Sequence, residues 1–268
     1  MIEESDRKIR LDGSLVRYVL RRTSRARGIR LTIDDRRGLV VSVPPTARRG
    51  WFQADDRVEG FMREREGWIL RHLRQLERRR GEAAARGGPD DGGRILYRGA
   101  LHGIRVLAAP PSSRRSSVER AGTEAGDELI VWRASRDRRA IPRVLEAWFR
   151  ERAVEAVDRA VAAHAAALRV APAEVVLRDP RTRWGSASKQ GRLMFSWRLV
   201  LAPPEALETV VVHELAHLRV FGHGPGFWKL VASRRPSHLA DRAWLRRHSH
   251  ALHAALEMPA RATDAIAG

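Results

Sequence analysis

The sequence predicts an α+β fold, and three observations carry that expectation. Its first half contains short runs in which apolar and polar residues alternate, separated by turn residues, the pattern of half-buried strands. Two long stretches instead repeat their apolar residues every three or four positions, as a helix lying on a core does. A further stretch near residue 210 is apolar almost all round and carries His213-Glu214-Leu215-Ala216-His217 at its centre.

Taken in order, Leu15–Leu20, Ile29–Ile33 and Leu39–Val43 read as strands, with Asp34–Gly38 as a hairpin turn and Pro44-Pro45 ending the meander, because proline cannot donate to a ladder. A helix is expected from about Ala54 to Arg80, with Val58, Phe61, Met62, Trp68, Ile69, Leu73 and Leu76 as its apolar stripe and a solvated arginine-rich face opposite. Residues 1–80 thus form a β-meander plus helix. Glycine, proline and aspartate crowd residues 81–93, which reads as a linker or loop.

Residues 94–258 read as the main domain. Strands are expected at Arg94–Arg98, Ile104–Ala108 and Glu128–Trp132, with Pro110–Gly126 as a polar, mobile loop. Leu145, Trp148, Phe149, Val154, Val157, Val161 and Leu168 set a long helix over Ile141–Leu168, and Pro142 suits its first turn. Val175–Arg178 and Leu193–Leu201 read as strands, Trp184-Gly185-Ser186 as a turn, and Pro204–Phe221 as the helix that bears the histidines. A short helix follows from Phe227 and a last one spans Leu239–Met258. Small antiparallel sheet segments and a long helix therefore precede the histidine helix, and 259–268 reads as a flexible tail.

Composition narrows the function. The 268 residues are 43% hydrophobic, enough for a globular core. There is no cysteine, which excludes disulfides and thiolate metal sites and fits a reducing compartment. The N-terminus lacks the apolar segment of a secretory signal, and no run approaches the roughly 18 apolar residues of a membrane span. A cytoplasmic protein without a membrane partner is expected. The formal charge of +19 raises nucleic acid as a partner, but it is not favoured. Lysine occurs only at Lys8, Lys189 and Lys229, so the charge is a general arginine bias, and no aromatic residues interleave with it repeatedly.

The chemistry concentrates between Glu205 and Trp228. On a helix His213 and His217 lie one turn apart on one face, the spacing two imidazoles need to share an ion. Glu214 projects about 60° away from His217, within reach of a water on that ion but outside the coordination sphere, where a general base belongs. Gly222 can take the left-handed conformation that turns the chain and brings His223 back as third ligand. Three histidines with an open position describe a catalytic zinc site. A chance motif is disfavoured, because two histidines and a glutamate in a core helix need partners. His164 reads as a packed or exposed histidine. His248, His250 and His253 read as an exposed surface cluster, since only the last two share a helix face and no carboxylate base accompanies them. Trp228 is expected to pack under the metal site.

RTRWGSAS from Arg181, FSWRLVLAPPE from Phe195, VVVHELAHL from Val210 and GHGPGFW from Gly222 resemble the YgjP-like metallopeptidase family, a zincin group akin to the SprT and WLM proteases. The N-terminal half resembles it in layout, through the strand meander, Trp68-Ile69 and Tyr97-Arg98-Gly99. Two positions depart: Ala187 stands where the family has cysteine, and Ser196 where it has asparagine. The resemblance implies a zincin-like catalytic domain with an HExxH active-site helix. It implies a zinc metallopeptidase with a peptide or protein substrate, hydrolysed through a zinc-activated water with Glu214 as general base. Arg183, Trp184, Gly185, Ser186, Ser196, Trp197 and Arg198 are then candidate substrate contacts, and Arg183, Arg198 and His238 candidate oxyanion stabilisers. Leu193–Leu199 would be an edge strand that pairs with an extended peptide. The alternative is a metal-dependent nucleotide or phosphoester hydrolase, although no Gly-x-x-x-x-Gly-Lys loop and no second carboxylate set is present. A second alternative is a DNA-associated protease acting on DNA-bound proteins, which only the net charge suggests.

Overall fold

The computed structural model describes residues 2–35, 37–52, 54–123, 126–257 and 266–267. The chain is a mixed α+β protein that divides into two compact units. The first holds residues 1–85 and the C-terminal strand; the second holds residues 86–258. No helix among the described residues is long and apolar enough to cross a membrane.

In the first unit, β1 (Ile2–Leu11) and β2 (Ser14–Thr23) form an antiparallel hairpin, and β3 (Arg30–Asp34) and β4 (Gly38–Val43) form another. The order is β1-β2-β4-β3. The first strand has no counterpart in the hydropathy reading because only Ile9 and Leu11 of its ten residues are buried. Its turn was nevertheless written in the chain: Asp12 and Gly13 both have positive φ, as a two-residue Asp-Gly hairpin loop requires. The helix expected over Ala54–Arg80 is two helices, α1 (Asp55–Arg63) and α2 (Glu66–Ala85), with a turn at Glu64-Arg65. Helix α2 continues through the first five residues of the segment read as a linker. Gly81 is followed there by Glu-Ala-Ala-Ala, and alanine's helix propensity offsets the glycine. Of the tail, only Ile266–Ala267 is described; it is a strand, β12, paired antiparallel with Leu15-Val16, and the rest of the flexible segment read from the sequence lies outside the described residues.

The second unit begins with β5 (Arg94–Tyr97), β6 (Ala100–Ala108), β7 (Ser117–Thr123) and β8 (Gly126–Arg133), in the order β5-β6-β8-β7. The segment read as a mobile loop therefore contains a strand, β7, whose sequence Ser-Val-Glu-Arg-Ala-Gly-Thr offers too little apolar alternation to reveal it.

This sheet repeats the first one. Both run hairpin, then hairpin, then helix, and both pair the second strand in parallel with the fourth. Buried Ile9, Leu11, Val16 and Tyr18 correspond to buried Ile95, Tyr97, His102 and Ile104, a constant offset of 86 residues. The register agrees too: Tyr18 pairs with Leu39 and Leu20 with Val41, as Ile104 pairs with Leu129 and Val106 with Val131. Even the turns match, since Arg98-Gly99 also has two positive φ values.

After α3 (Ile141–Leu168) come β9 (Glu174–Arg178), β10 (Gly185–Ala187) and β11 (Arg192–Ser196), ordered β10-β11-β9. Each of the three sheets thus holds a parallel pair, which corrects the expectation of purely antiparallel segments. The cause is common: a strand is followed by a hairpin whose second strand docks beside it. Two further corrections touch the site. The strand expected to reach Leu201 stops at Ser196, whose hydroxyl accepts a hydrogen bond from the Arg198 amide and caps a 3-10 turn over Trp197–Leu201. A continuous apolar run cannot distinguish these conformations. Moreover, β11 is flanked by β10 and β9, so Leu193–Ser196 belongs to a central strand, and β10 and β9 are the edges.

Helix α4 (Pro204–His217) is followed by α5 (Pro225–Arg234) and α6 (His238–His253). It is the hub of the second unit, packed by α3, α5, α6, β10 and β11. That enclosure explains its composition: Ala206, Leu207, Val210, Val211, Val212, Leu215 and Ala216 are all buried, which leaves polar residues only at Glu205, Glu208, Thr209 and the histidine-glutamate end. It ends four residues before the expected Phe221, because the Leu218 and Arg219 amides tighten onto the carbonyls three residues back. Likewise α6 ends at His253 and not at Met258.

Candidate metal centre

The end of α4 and the loop after it bring His213, His217 and His223 together, with ligand atoms all within 4.8 Å of one another. Gly222, at φ 86°, makes the turn that returns the chain. It lies in the loop, five residues past the helix end, and not at the helix cap. The Nε2 atoms of His217 and His223 each stand 3.2 Å from Nε2 of His213.

This arrangement fits a metal ion. A single ring nitrogen offers one N–H or one lone pair, so His213 Nε2 cannot serve two neighbouring ring nitrogens at once. His217 Nδ1 lies 3.4 Å from the Val220 carbonyl and donates to it, which leaves its Nε2 bare and aimed at the cluster. A cation at the centre satisfies all three. Around an ion bound at about 2.0–2.1 Å a tetrahedron has edges of roughly 3.3–3.4 Å, close to the spacing found. The two helix-borne rings also favour the neutral form that a ligand needs. Burial, followed by the neighbouring rings of His217 and His223, lowers His213 to about 3, and burial lowers His217 as well. Phe227 packs against all three rings, at 4.4–4.9 Å between centroids. Trp228 lies 5.6 and 5.7 Å from His213 and His223, forming a wall beside the trio.

Glu214 is 6% exposed. It accepts no hydrogen bond and joins no ion pair among the described residues, and burial raises its pKa to about 7, with Arg183 pulling weakly the other way. Its room comes from Gly185. A side-chain carbon built there would stand 2.7 Å from Glu214 Cγ and Oε1, so the edge strand can pass the carboxylate only as glycine. Beside His213 and Glu214 opens a cavity of about 300 Å³ whose wall includes Trp184 and Gly185.

The sequence model of the YgjP-like metallopeptidase domain matches residues 27–248, parts of both units included. The chain belongs to this family. The resemblance read from its C-terminal motifs therefore holds, and the protein is in general terms a metallopeptidase-family hydrolase. No curated protein and no solved structure matches it significantly.

Within this family member, the residues named as substrate contacts separate. Trp184 and Gly185 line the cavity, and Arg183 is near enough to act on Glu214. Ser186 is the next residue of β10, where the pleat turns it to the opposite face from Gly185. Ser196 and Trp197 are fully buried, the first capping the 3-10 turn and the second packed on Phe149. Arg198 is held by both oxygens of Asp179, at 2.7 and 3.0 Å, and by the Leu252 carbonyl, so its donors are committed to the fold. His238 is buried and stacked on Trp228 at 5.5 Å, and it is near enough to His213 to help lower that ring's pKa. His164 sits between Arg234 and Glu208, away from the trio. The presumed surface histidines are not exposed: His248 stacks on Trp244, and His253 on Trp184 at 4.8 Å. The reading also missed Arg242, Arg246 and Leu245 of the cavity wall; their one signal is that 242, 245 and 246 share a helix face.

Proposed function

We propose that the chain is a zinc-dependent metallopeptidase of the zincin type, with His213, His217 and His223 as the metal ligands and Glu214 as general base. The observation that carries this reading is the convergence of three imidazoles beside a buried carboxylate that has no hydrogen-bond or ion-pair partner among the described residues. Zinc bound there would supply a Lewis acid that polarises the scissile carbonyl and acidifies water. Glu214, with a pKa near neutrality, is suited both to take a proton from the attacking water and to give it to the departing amide nitrogen. Gly185 keeps that carboxylate in place. Strand β10, paired only with β11 among the described strands, offers the free edge against which an extended peptide can lie. That role moves from Leu193–Leu199, where the resemblance had suggested it, to Gly185–Ala187.

One observation favours the second reading, a metal-dependent phosphoester or nucleotide hydrolase. Arg183 lies near Glu214, and Arg242 and Arg246 line the cavity with no ion pair to a carboxylate among the described residues. The zinc-loaded protein incubated with an unfolded protein and, separately, with nucleoside triphosphates decides between the two. Cleavage of the polypeptide with no phosphate or pyrophosphate release is the result expected, and the reverse outcome overturns the peptidase reading.

A further inference from the structure

The cavity beside Glu214 has two chemically different parts. Its body is apolar, formed by Trp184, Val210, Val231 and Leu245. Its rim is cationic, because Arg242 and Arg246 stand one turn apart on the same face of α6, with Leu245 between them reaching into the apolar part. Several arginines elsewhere in this unit are neutralised by carboxylates: Arg198 by Asp179, Arg139 by Asp137, Arg235 by Glu208 and Asp241. Arg242 and Arg246 are not, among the described residues. Arg242 is also held in place. Its guanidinium lies 4.4 Å from the centroid of Trp228, the same ring that walls His213 and His223. A cation fixed beside the reaction centre, with free N–H donors and no carboxylate to receive them, is a recognition element for an anion, and little ordering entropy remains to be lost when one binds.

We propose that Arg242 and Arg246 form an anion subsite, so that the preferred peptide presents a carboxylate on a short apolar stem, the stem in the cavity and the carboxylate at the two guanidinium groups. This deepens the peptidase reading and rests on it. The carboxylate can come from an acidic side chain next to the scissile bond or from the free C-terminus of the peptide, since both offer the same two oxygens to an arginine fork.

The test uses the zinc-loaded protein and its Arg242→Gln/Arg246→Gln double variant, each checked for zinc content and melting temperature. Peptides with Glu at the residue following the scissile bond are compared with the Gln analogue, and free-acid peptides with their C-terminal amides. One charge-assisted contact predicts about a tenfold to hundredfold preference in kcat/KM for the anionic member of one pair, falling to near one in the double variant. Whichever pair shows the preference identifies the source of the carboxylate. Arg246→Lys on the Arg242→Gln background should restore part of the preference, which a purely structural role would not do. Should no peptide be cleaved, the peptidase reading fails, and calorimetry on the same proteins still tests the subsite. N-acetylglutamate should bind more tightly than N-acetylglutamine, and the difference should vanish in the double variant. A preference for anions that survives both substitutions overturns the proposal, as does equal treatment of the paired peptides by the wild type. Arginine-dependent binding of inorganic phosphate without discrimination between the two acetylated amino acids overturns it too, in favour of a phosphoester substrate.

Discussion

In the first half of α4, Glu208 and Thr209 meet Arg235, whose Nη1 donates to Glu208 and Nε to Thr209 while Nη2 reaches Asp241 and the Glu205 carbonyl. Thr209 in turn donates to Asp241. Less than two turns further along the same helix, Glu214 is more deeply buried than Glu208 and has no hydrogen-bond or ion-pair partner among the described residues. The first half pairs its half-buried charge, Glu208, within the fold and ties α4 to the corner between α5 and α6. The second leaves two imidazoles, which His223 of the following loop joins, and a carboxylate without a partner among the described residues. Uncompensated polar groups in a core cost stability, so their concentration at one end of an otherwise satisfied helix marks where stability has been given up for chemistry.

Substitutions can separate the two halves. The largest effect should come from the metal ligands: His213→Ala, His217→Ala or His223→Ala removes one of three protein ligands, and elemental analysis should find severe loss from the one zinc per chain expected of the parent. Full metal content in His223→Ala would break the assignment of the third ligand.

Next comes Glu214→Gln. It should keep zinc and fold and lower turnover by about 10²–10⁴-fold, the usual worth of general-base assistance. In the metal-free protein the same change should give a pH signature. The raised Glu214 pKa means that the folded state holds its proton more tightly than the unfolded chain, so the stability it contributes is complete below the ordinary glutamate value of 4.5 and lost as pH rises through about 7. Both proteins share the depressed histidines. Wild type should therefore lose stability relative to Glu214→Gln across that window in denaturant melts, and parallel pH profiles would contradict the burial argument.

Gly185→Ala should follow, with roughly a tenfold or greater loss of turnover at unchanged zinc content, because the new methyl displaces the carboxylate that needs to be placed within a fraction of an ångström. Zinc analysis beside steady-state rates checks it. The contrasting substitution is Arg235→Ala in the first half of the helix. Leaving Asp241 and Glu208 without their donor should cost about 1–3 kcal/mol of stability by chemical denaturation while turnover stays near the parent's. If Arg235→Ala abolished turnover with little loss of stability, the two halves of α4 would not be separable.

Much of this site was legible because its chemistry is local. His213, Glu214 and His217 lie on one helix, and His223 follows one glycine turn later, so sequence spacing alone implies their proximity. The edge strand was not local. Whether Gly185–Ala187 or Leu193–Ser196 lies outermost depends on which strand docks against Glu174–Arg178, and all three segments are short and apolar enough for either order. Arg198 was misplaced for a related reason: its partner Asp179 is 19 residues away, and nothing in the spacing announces the pair. The fold shows the same division. The long helix over Ile141–Leu168 is fixed by its own period. Strands β1 and β7 owe their existence to pairing, and only β1 left a trace in the sequence, through the Asp12-Gly13 turn that matches Arg98-Gly99 of the repeated sheet.

The most direct test of the account is the rate at which the zinc-loaded protein cleaves an unfolded polypeptide, measured against its Glu214→Gln variant at equal zinc content. The structure leads us to expect cleavage by the first, with one zinc per chain, and a loss of at least about a hundredfold in the second. Equal rates at equal zinc would contradict the assignment of Glu214, and with it the claim that the unpartnered end of α4 is a peptidase site.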